Sequence, residues 1–266
     1  MPIIECVPNF SEGRDLSVLE RIAQAITAVP NVKLLDHSAD RDHNRSVYTF
    51  IGYPEAVLEA AFRSAQCAKD LLDIKVHAGA HPRTGVIDVI PFIPVKDSSL
   101  LDCAVTAERL GQRLRTELDI PSAYYGFKPI DRSTTFKPSL PELRELSRLG
   151  KLQTHPTAGT VAIGVRNFMV AYNIDLATAD LTVAKTIAGK IRSANGGLPY
   201  VRALGFALAS RGIVQVSMNL LRPDYTTPQI AYAAVKTVAD SLGVQIQRAE
   251  LIGLLPEQVM AAAGAF

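Results

Sequence analysis

Two ferredoxin-like subdomains in an α/β (α+β) arrangement, each a mixed β-sheet with helices packed on one face, are the fold this sequence predicts. Three observations carry that prediction. Hydrophobic periodicity alternates between strand-like and helix-like in an order that reads β-α-β-β-α-β in the first half and again in the second. The run Val86–Val95 is apolar enough to be a buried central strand, interrupted only by Asp88. The 266 residues, 48% apolar and 20% charged, are long for one core and sufficient for two.

Ile3–Val7 reads as a strand, and the turn over Pro8–Asp15 leads into a helix from Leu16 to about Ala28, with Leu19, Ile22, Ala23 and Ile26 on its apolar face. Pro30 ends that helix. Strand Val32–His37, the polar loop SADRDHNR and strand Ser46–Gly52 follow, the second strand alternating at Val47, Tyr48 and Phe50. Pro54 opens a helix to Leu72, with Val57, Leu58, Ala61, Phe62, Ala65 and Ala68 inward. After the central strand, Asp97–Ser99 offers an N-cap for a helix to Leu118, and a short strand, Ser122–Phe127, closes the first subdomain. Lys128–Thr154, rich in prolines and charges, reads as a connection holding one helix, Leu140–Leu149, and belongs with a first subdomain of residues 1–159. The second subdomain, 160–266, reads as strand Phe168–Ile174, helix Ala177–Ser193, a Gly-Gly-x-Pro turn, strands Val201–Leu208 and Val214–Asn219, helix Pro228–Leu242, strand Gln245–Ile252 and a helix from Pro256.

A net charge of +2, with basic residues scattered among acidic ones, gives no nucleic-acid footprint, so an anionic partner must be met by a local pocket. Cys6, Cys67 and Cys103 are odd in number, widely spaced and set in apolar patterns, which points to reduced packing thiols. No stretch approaches a membrane span and the N-terminus lacks a leader pattern, so a cytoplasmic location is expected.

The stretch His77–Val95, HAGAHPRTGVIDVIPFIPV, sets histidines and an arginine in a loop at the mouth of the central strand. Pro82 forces His81 out of the α region and stiffens the loop, which favours His81 as a general acid or base. All five histidines fall in expected loops of the first subdomain or connection: His37, His43, His77, His81 and His155. The spacing of His77 and His81 would suit a metal pair on a helix, but Gly79 and Pro82 argue against a helix there, and no metal is expected. Asp40, Asp42, His43, Asn44 and Arg45 form a dense polar loop, in which Asp and Asn are also ordinary turn residues. Arg45 and Arg83 each offer a planar fork for a carboxylate. Asp88, alone in an apolar strand, needs a partner and serves either to orient an imidazole or as a structural ion pair. His155–Thr160, HPTAGT, offers backbone donors and hydroxyls suited to a polar heterocycle.

Five segments in order, ECVPNFSEGRD, DHNRSVYTFIG, HAGAHPRTGVIDVIPFIPV, HPTAG and GGLPYVRALG, resemble the glutamate formimidoyltransferase family, which includes the transferase half of formimidoyltransferase-cyclodeaminases. The resemblance covers nearly the whole chain. It implies a dimer that moves a formimidoyl group from N-formimidoyl-L-glutamate to N5 of tetrahydrofolate in histidine degradation, with a separate cyclodeaminase expected. It makes His81, before Pro-Arg, the catalytic histidine, and Gly150–Gly159 the folate-contacting segment, with His155, Pro156, Thr157, Ala158 and Gly159 at its end. Asp40, His43, Asn44, Arg45, His77, Arg83 and Asp88 are the candidate substrate-binding residues. The chain departs from mammalian members at Ala80, where they have glutamate, at Ser38, where they have aspartate, and in a shorter Lys128–Thr154.

Three other readings stay open on the residues alone. A formyl donor would make the chain a folate-dependent formyltransferase. A metal-dependent amidine or amide hydrolase would gather His37, Asp40, His43 and His81 around one ion. A non-catalytic folate-binding protein would bind tetrahydrofolate without turning over the donor.

Overall fold

The computed structural model describes residues 1–127, 139–264 and 266. They divide into two compact units, Met1–Asn167 with Glu257–Phe266, and Phe168–Pro256.

Among the described residues the first unit holds a seven-stranded sheet. Strands β1 (Ile3–Cys6) and β2 (Asn9–Phe10) occupy one position between β4 (Arg45–Gly52) and β5 (Ile87–Lys96), and β3 (Val32–Asp40) lies outside β4. Beyond β5 come β7 (Val161–Val165) and then β6 (Ser122–Gly126), both pairings parallel, while the rest of the sheet is antiparallel. Helices α1 (Leu16–Thr27), α2 (Pro54–Leu71) and α3 (Leu100–Leu118) bury their apolar faces with Phe10, Tyr48, Phe50, Ile90, Phe92 and Ile163 in one core. Their starts follow local chemistry. Asp15 accepts the backbone N–H groups of Ser17 and Val18, Pro54 sits at the first turn of α2, and Ser99 and Asp102 form a reciprocal capping box.

Strand β7 is the largest departure from the sequence reading, which passes over Val161–Val165. This five-residue run has no polar alternation because parallel neighbours flank it and every residue is buried, so its pattern resembles a connection more than a half-exposed strand. Successive strand residues point to opposite faces. Ile90 and Ile163 thus enter the three-helix core, whereas Val89 and Ala162 turn the other way and pack against Leu143 of α4 (Leu140–Arg148). Helix α4 therefore covers the open face of the sheet at its β5–β7 end. Within the expected connection 128–154, residues 128–138 lie outside the described ones.

The second unit is a four-stranded, wholly antiparallel sheet among its described residues, in the order β11-β8-β10-β9, formed by β8 (Val170–Leu176), β9 (Val201–Leu208), β10 (Ile213–Leu220) and β11 (Ile246–Ile252). Helices α5 (Leu181–Ile191) and α6 (Pro228–Ser241) pack through Ile187, Ala188 and Val235 against Ile174, Val214, Val216 and Met218. That chain order and strand order are those of a ferredoxin-like βαββαβ unit. Helix α5 starts four residues later than its apolar pattern suggests because Asp180 caps it, accepting the Thr182 N–H at 2.8 Å. A last helix, α7 (Pro256–Ala263), ends the described chain. All three cysteines are free, with Cys6 and Cys103 buried, and no described helix is long and apolar enough to cross a membrane.

Glu5 of β1 is 5% exposed and pairs with Ile51 and Ile93, on the face away from the three helices. Burial raises its carboxyl to about 7, against a smaller opposing pull from Arg166. Because the folded value lies above the unfolded one, this group's full contribution to stability is present below about pH 4.5 and is lost as pH rises through about 7. The loss amounts to ~3 kcal/mol at most. Glu5→Gln is therefore expected to raise the melting temperature at pH 8 and leave it nearly unchanged at pH 4, as thermal unfolding at the two pH values would show.

Candidate active site

The open face of the first sheet carries a buried charge cluster centred on Asp88. Asn9 pairs with Val89 and Phe10 with Ile87, so Asp88 is the extra residue of a β-bulge. A bulge re-aims the side chain it displaces, and here it turns Asp88 toward α4 instead of into the apolar core. The Asp88 side chain is fully buried. Its Oδ1 accepts the Thr84 backbone N–H at 2.9 Å, and its Oδ2 accepts from Arg45 Nη1 and, at 3.0 Å, from Arg144 Nη2 of α4. Both guanidinium side chains are mostly buried, at 15% and 16% exposure. The remaining donors of Arg45 reach Asn9 Oδ1, Nε at 3.0 Å and Nη2 at 2.8 Å.

Arg45 owes its position to a tight hairpin. Strand β3 runs on to Asp40, which pairs directly with Arg45, so the expected polar loop shrinks to Arg41–Asn44. Asp40 Oδ1 accepts the His43 N–H at 2.7 Å, and Asn44 takes the left-handed conformation, φ 46°, that Asn tolerates better than most residues. Asn44 then ties three segments together. Its Oδ1 accepts the Gly13 N–H at 2.9 Å, and its Nδ2 lies 3.2 Å from His77 Nδ1 and 3.0 Å from the Ala78 carbonyl. Ala80 donates its N–H to the Asp42 carbonyl. A Cβ on Gly79 would lie 2.3 Å from the His43 carbonyl oxygen, so only glycine allows this approach of the loop to the hairpin.

The loop delivers His81 to the cluster. Its Nδ1 sits 2.9 Å from Arg45 Nη1 and 2.7 Å from the Pro82 carbonyl, and its ring meets His43 edge-on at 5.9 Å. Burial, together with the Arg45 and Arg144 charges, holds the His81 imidazole well below the ordinary histidine value, so it is neutral at pH 7. Burial alone would raise the Asp88 carboxyl; the two arginines outweigh it and hold that group ionised far below the usual carboxylate range. Arg83 grips its own loop, through the carbonyls of Gly79 and His81, where the sequence suggested a substrate carboxylate.

His155–Gly159 lies directly behind this loop. Gly85 bridges Gly159, Val86 donates to the Ala158 carbonyl at 2.9 Å, and Ile74 donates to the Thr157 carbonyl at 2.8 Å. The backbone donors expected to meet a heterocycle are spent inside the turn. Thr157 and Ala158 N–H point at His155 Nδ1, and Gly159 N–H at the His155 carbonyl. Pro156 is exposed, and His155 and Thr157 are half-buried.

His81, Arg45 and Asp88 thus converge, Asp40, His43, Asn44, His77 and Arg83 build the loops that hold them, and the 155–159 turn backs the arrangement. His37 does not join. It pairs with Tyr48 and stacks on it at 5.6 Å, on the helix side of the sheet, away from the face that carries Arg45. Among the described residues no three His, Cys, Asp or Glu side chains form a metal-holding group, so the set His37, Asp40, His43 and His81 is not assembled. Asn9, Arg144 and Tyr125 escaped the sequence reading. Asp88 signalled that a buried cation was needed, but nothing in its neighbourhood named a helix 56 residues away. Tyr125 faces the cluster from β6, and burial pushes its hydroxyl up to about 12. An open depression of about 470 Å³ lined by Gln112, Arg115, Tyr124, Lys151 and Gln153 lies beside Tyr124, which packs with the three-helix core, and does not include His81.

Comparison with known proteins matches residues 3–166 to the formiminotransferase domain, N-terminal subdomain, and residues 171–266 to the formiminotransferase domain. A glutamate formimidoyltransferase of Thermoplasma acidophilum is 38% identical, covering 98% of this chain and 90% of that protein. Another from Streptococcus pyogenes is 35% identical, covering 97% and 90%. The formimidoyltransferase-cyclodeaminase of Rattus norvegicus is 36% identical over 99% of this chain, which spans 52% of the rat protein.

Proposed function

The chain belongs to the formiminotransferase domain family, and from that premise we propose that it is a glutamate formimidoyltransferase, carrying the formimidoyl group of N-formimidoyl-L-glutamate to N5 of tetrahydrofolate. The single observation that carries this reading is a neutral imidazole, His81, fixed between a proline carbonyl and a buried guanidinium on a polar sheet face.

Transfer requires that a proton leave the attacking nitrogen and reach the departing amine of glutamate, which is a poor leaving group until protonated. His81 serves both needs. In the tautomer with hydrogen on Nδ1, donated to the Pro82 carbonyl, the Nε2 lone pair is the base. A strongly depressed imidazole accepts the proton only transiently and is then an effective acid toward the amine, a role worth about 10²- to 10⁴-fold. Arg45 and Arg144 around one carboxylate leave the site net positive, as a dicarboxylate donor requires.

The turn His155–Gly159 fits a flat heterocycle through the exposed Pro156 ring, the His155 ring locked by its own turn, and the Thr157 side chain; its backbone donors are already used. Bound there, tetrahydrofolate would supply the nucleophilic N5. The same reading carries a homodimer, testable by sedimentation, and a cytoplasmic location. An absorbance assay for the transfer product, run with formimidoyl-glutamate, formyl-glutamate and no donor, tests the activity. Product is expected with the formimidoyl donor alone. Equal turnover of the formyl donor would transfer the assignment to a formyltransferase, and folate binding without turnover of either donor would make the chain a binding protein.

A further inference from the structure

We propose that Arg144 of α4 is a positioning residue of the transfer reaction, fixing the charge state of His81 through Asp88 and Arg45. The inference rests on the proposed activity only for its consequence in turnover; the coupling itself is a property of the cluster.

One arginine is enough to neutralise one buried carboxylate, and Arg45 already does so. A second buried guanidinium carries a desolvation cost that a structural pair does not need. Arg144 bears that cost visibly, since its Nε is enclosed with no acceptor among the described residues. Nor is Arg144 needed to dock α4. Leu143 is buried against Val89 and Ala162, Leu140 and Leu146 pack beside it, and the Ser139–Glu142 capping box starts the helix. What the second guanidinium changes is the charge beside the imidazole. With Arg144 present, Asp88, Arg45 and Arg144 sum to one positive charge next to His81; without it they sum to zero.

The other charged and titratable groups around His81 and its charge cluster come from each neighbouring element: Arg45 from β4, Asp88 from β5, His43 from the hairpin turn, Tyr125 from β6, and Arg83 from the loop itself. Among them Arg144 alone is carried by α4. Its registry on Asp88 through Oδ2, at 3.0 Å, also restricts the carboxylate that orients Arg45. Helix α4, which the sequence presents as part of a connection, thereby becomes part of the machinery.

The test compares wild type with Arg144→Gln and Arg144→Lys by two readouts, the acid limb of kcat/KM against pH and the NMR titration of the His81 imidazole. Circular dichroism and thermal melts check that each variant is folded. Arg144→Gln is expected to move both midpoints to higher pH by about one unit, which reads as a roughly tenfold loss of kcat/KM on the acid limb and a smaller loss above pH 8. Arg144→Lys, which keeps the charge and loses the fork, is expected to keep the midpoints near wild type while turnover falls. A folded Arg144→Gln protein whose imidazole titrates as in wild type overturns the inference, as does an equal loss of activity at every pH. If Arg144→Gln shifts the imidazole titration while the wild-type protein transfers nothing from formimidoyl-glutamate, the coupling is supported and the activity is overturned instead.

Discussion

His81→Ala is expected to lower turnover by about 10²- to 10⁴-fold while leaving tetrahydrofolate affinity within a few-fold of wild type. The asymmetry follows from where the imidazole sits. Its Nδ1 is held by the Pro82 carbonyl, so the ring is oriented for proton transfer and contributes little to the 155–159 turn, whose own hydrogen bonds close on themselves. Removing it also leaves the Arg45–Asp88–Arg144 cluster intact, because each of those pairs closes without His81. Single-turnover kinetics with formimidoyl-glutamate, together with folate binding by fluorescence, separate the two effects. A variant with wild-type turnover would move the base to another residue.

Asp88→Asn is expected to be the most destabilising single change at the site, by about 3–5 kcal/mol, because it strands two buried guanidinium groups that share one carboxylate. That is a large share of the ~5–15 kcal/mol that holds a typical domain together. Urea unfolding at pH 7 measures it. Adding Arg144→Met to Asp88→Asn should recover part of the loss, since one unpaired charge is then replaced by apolar volume against Leu143 and Val89. The pH dependence has a definite sign. The folded Asp88 carboxyl lies well below its unfolded value, so its contribution is present above about pH 4 and is lost as pH falls through the folded value. The gap between wild type and Asp88→Asn should therefore narrow in acid. A loss of unfolding free energy smaller than ~1 kcal/mol at pH 7 would mean the cluster is better hydrated than its burial indicates.

Much of the architecture was legible in the chain because it is written in local chemistry. Apolar spacing marked α1, α2, α3 and α6, and the start of α3 lay at the capping serine the sequence offered. The strand β5 and its lone Asp88 stood out for the same reason, a charge in an otherwise apolar run. Strand β7 did not, since a short parallel strand buried on both faces has no alternation to betray it. The roles within the site divide along the same line. Asp40, Asn44 and Arg83 carry the residue types of ligand-binding groups, yet their hydrogen bonds are made to nearby backbone, which only the closed hairpin and loop reveal.

Local chemistry alone made legible the order of the elements other than β2 and β7, the βαββαβ unit of the second half, and the loop in which a proline-flanked histidine meets the central strand, because propensity, capping and periodicity act over a few residues. Long-range packing put Asp88 on a bulge, gave it Arg45 and Arg144 as partners, and closed α4 over the open face beside them. Those pairings join residues 43 and 56 positions apart. They are fixed by which sheet face each strand presents and by the energetic need of a buried carboxylate for cations, and no short window of sequence contains either.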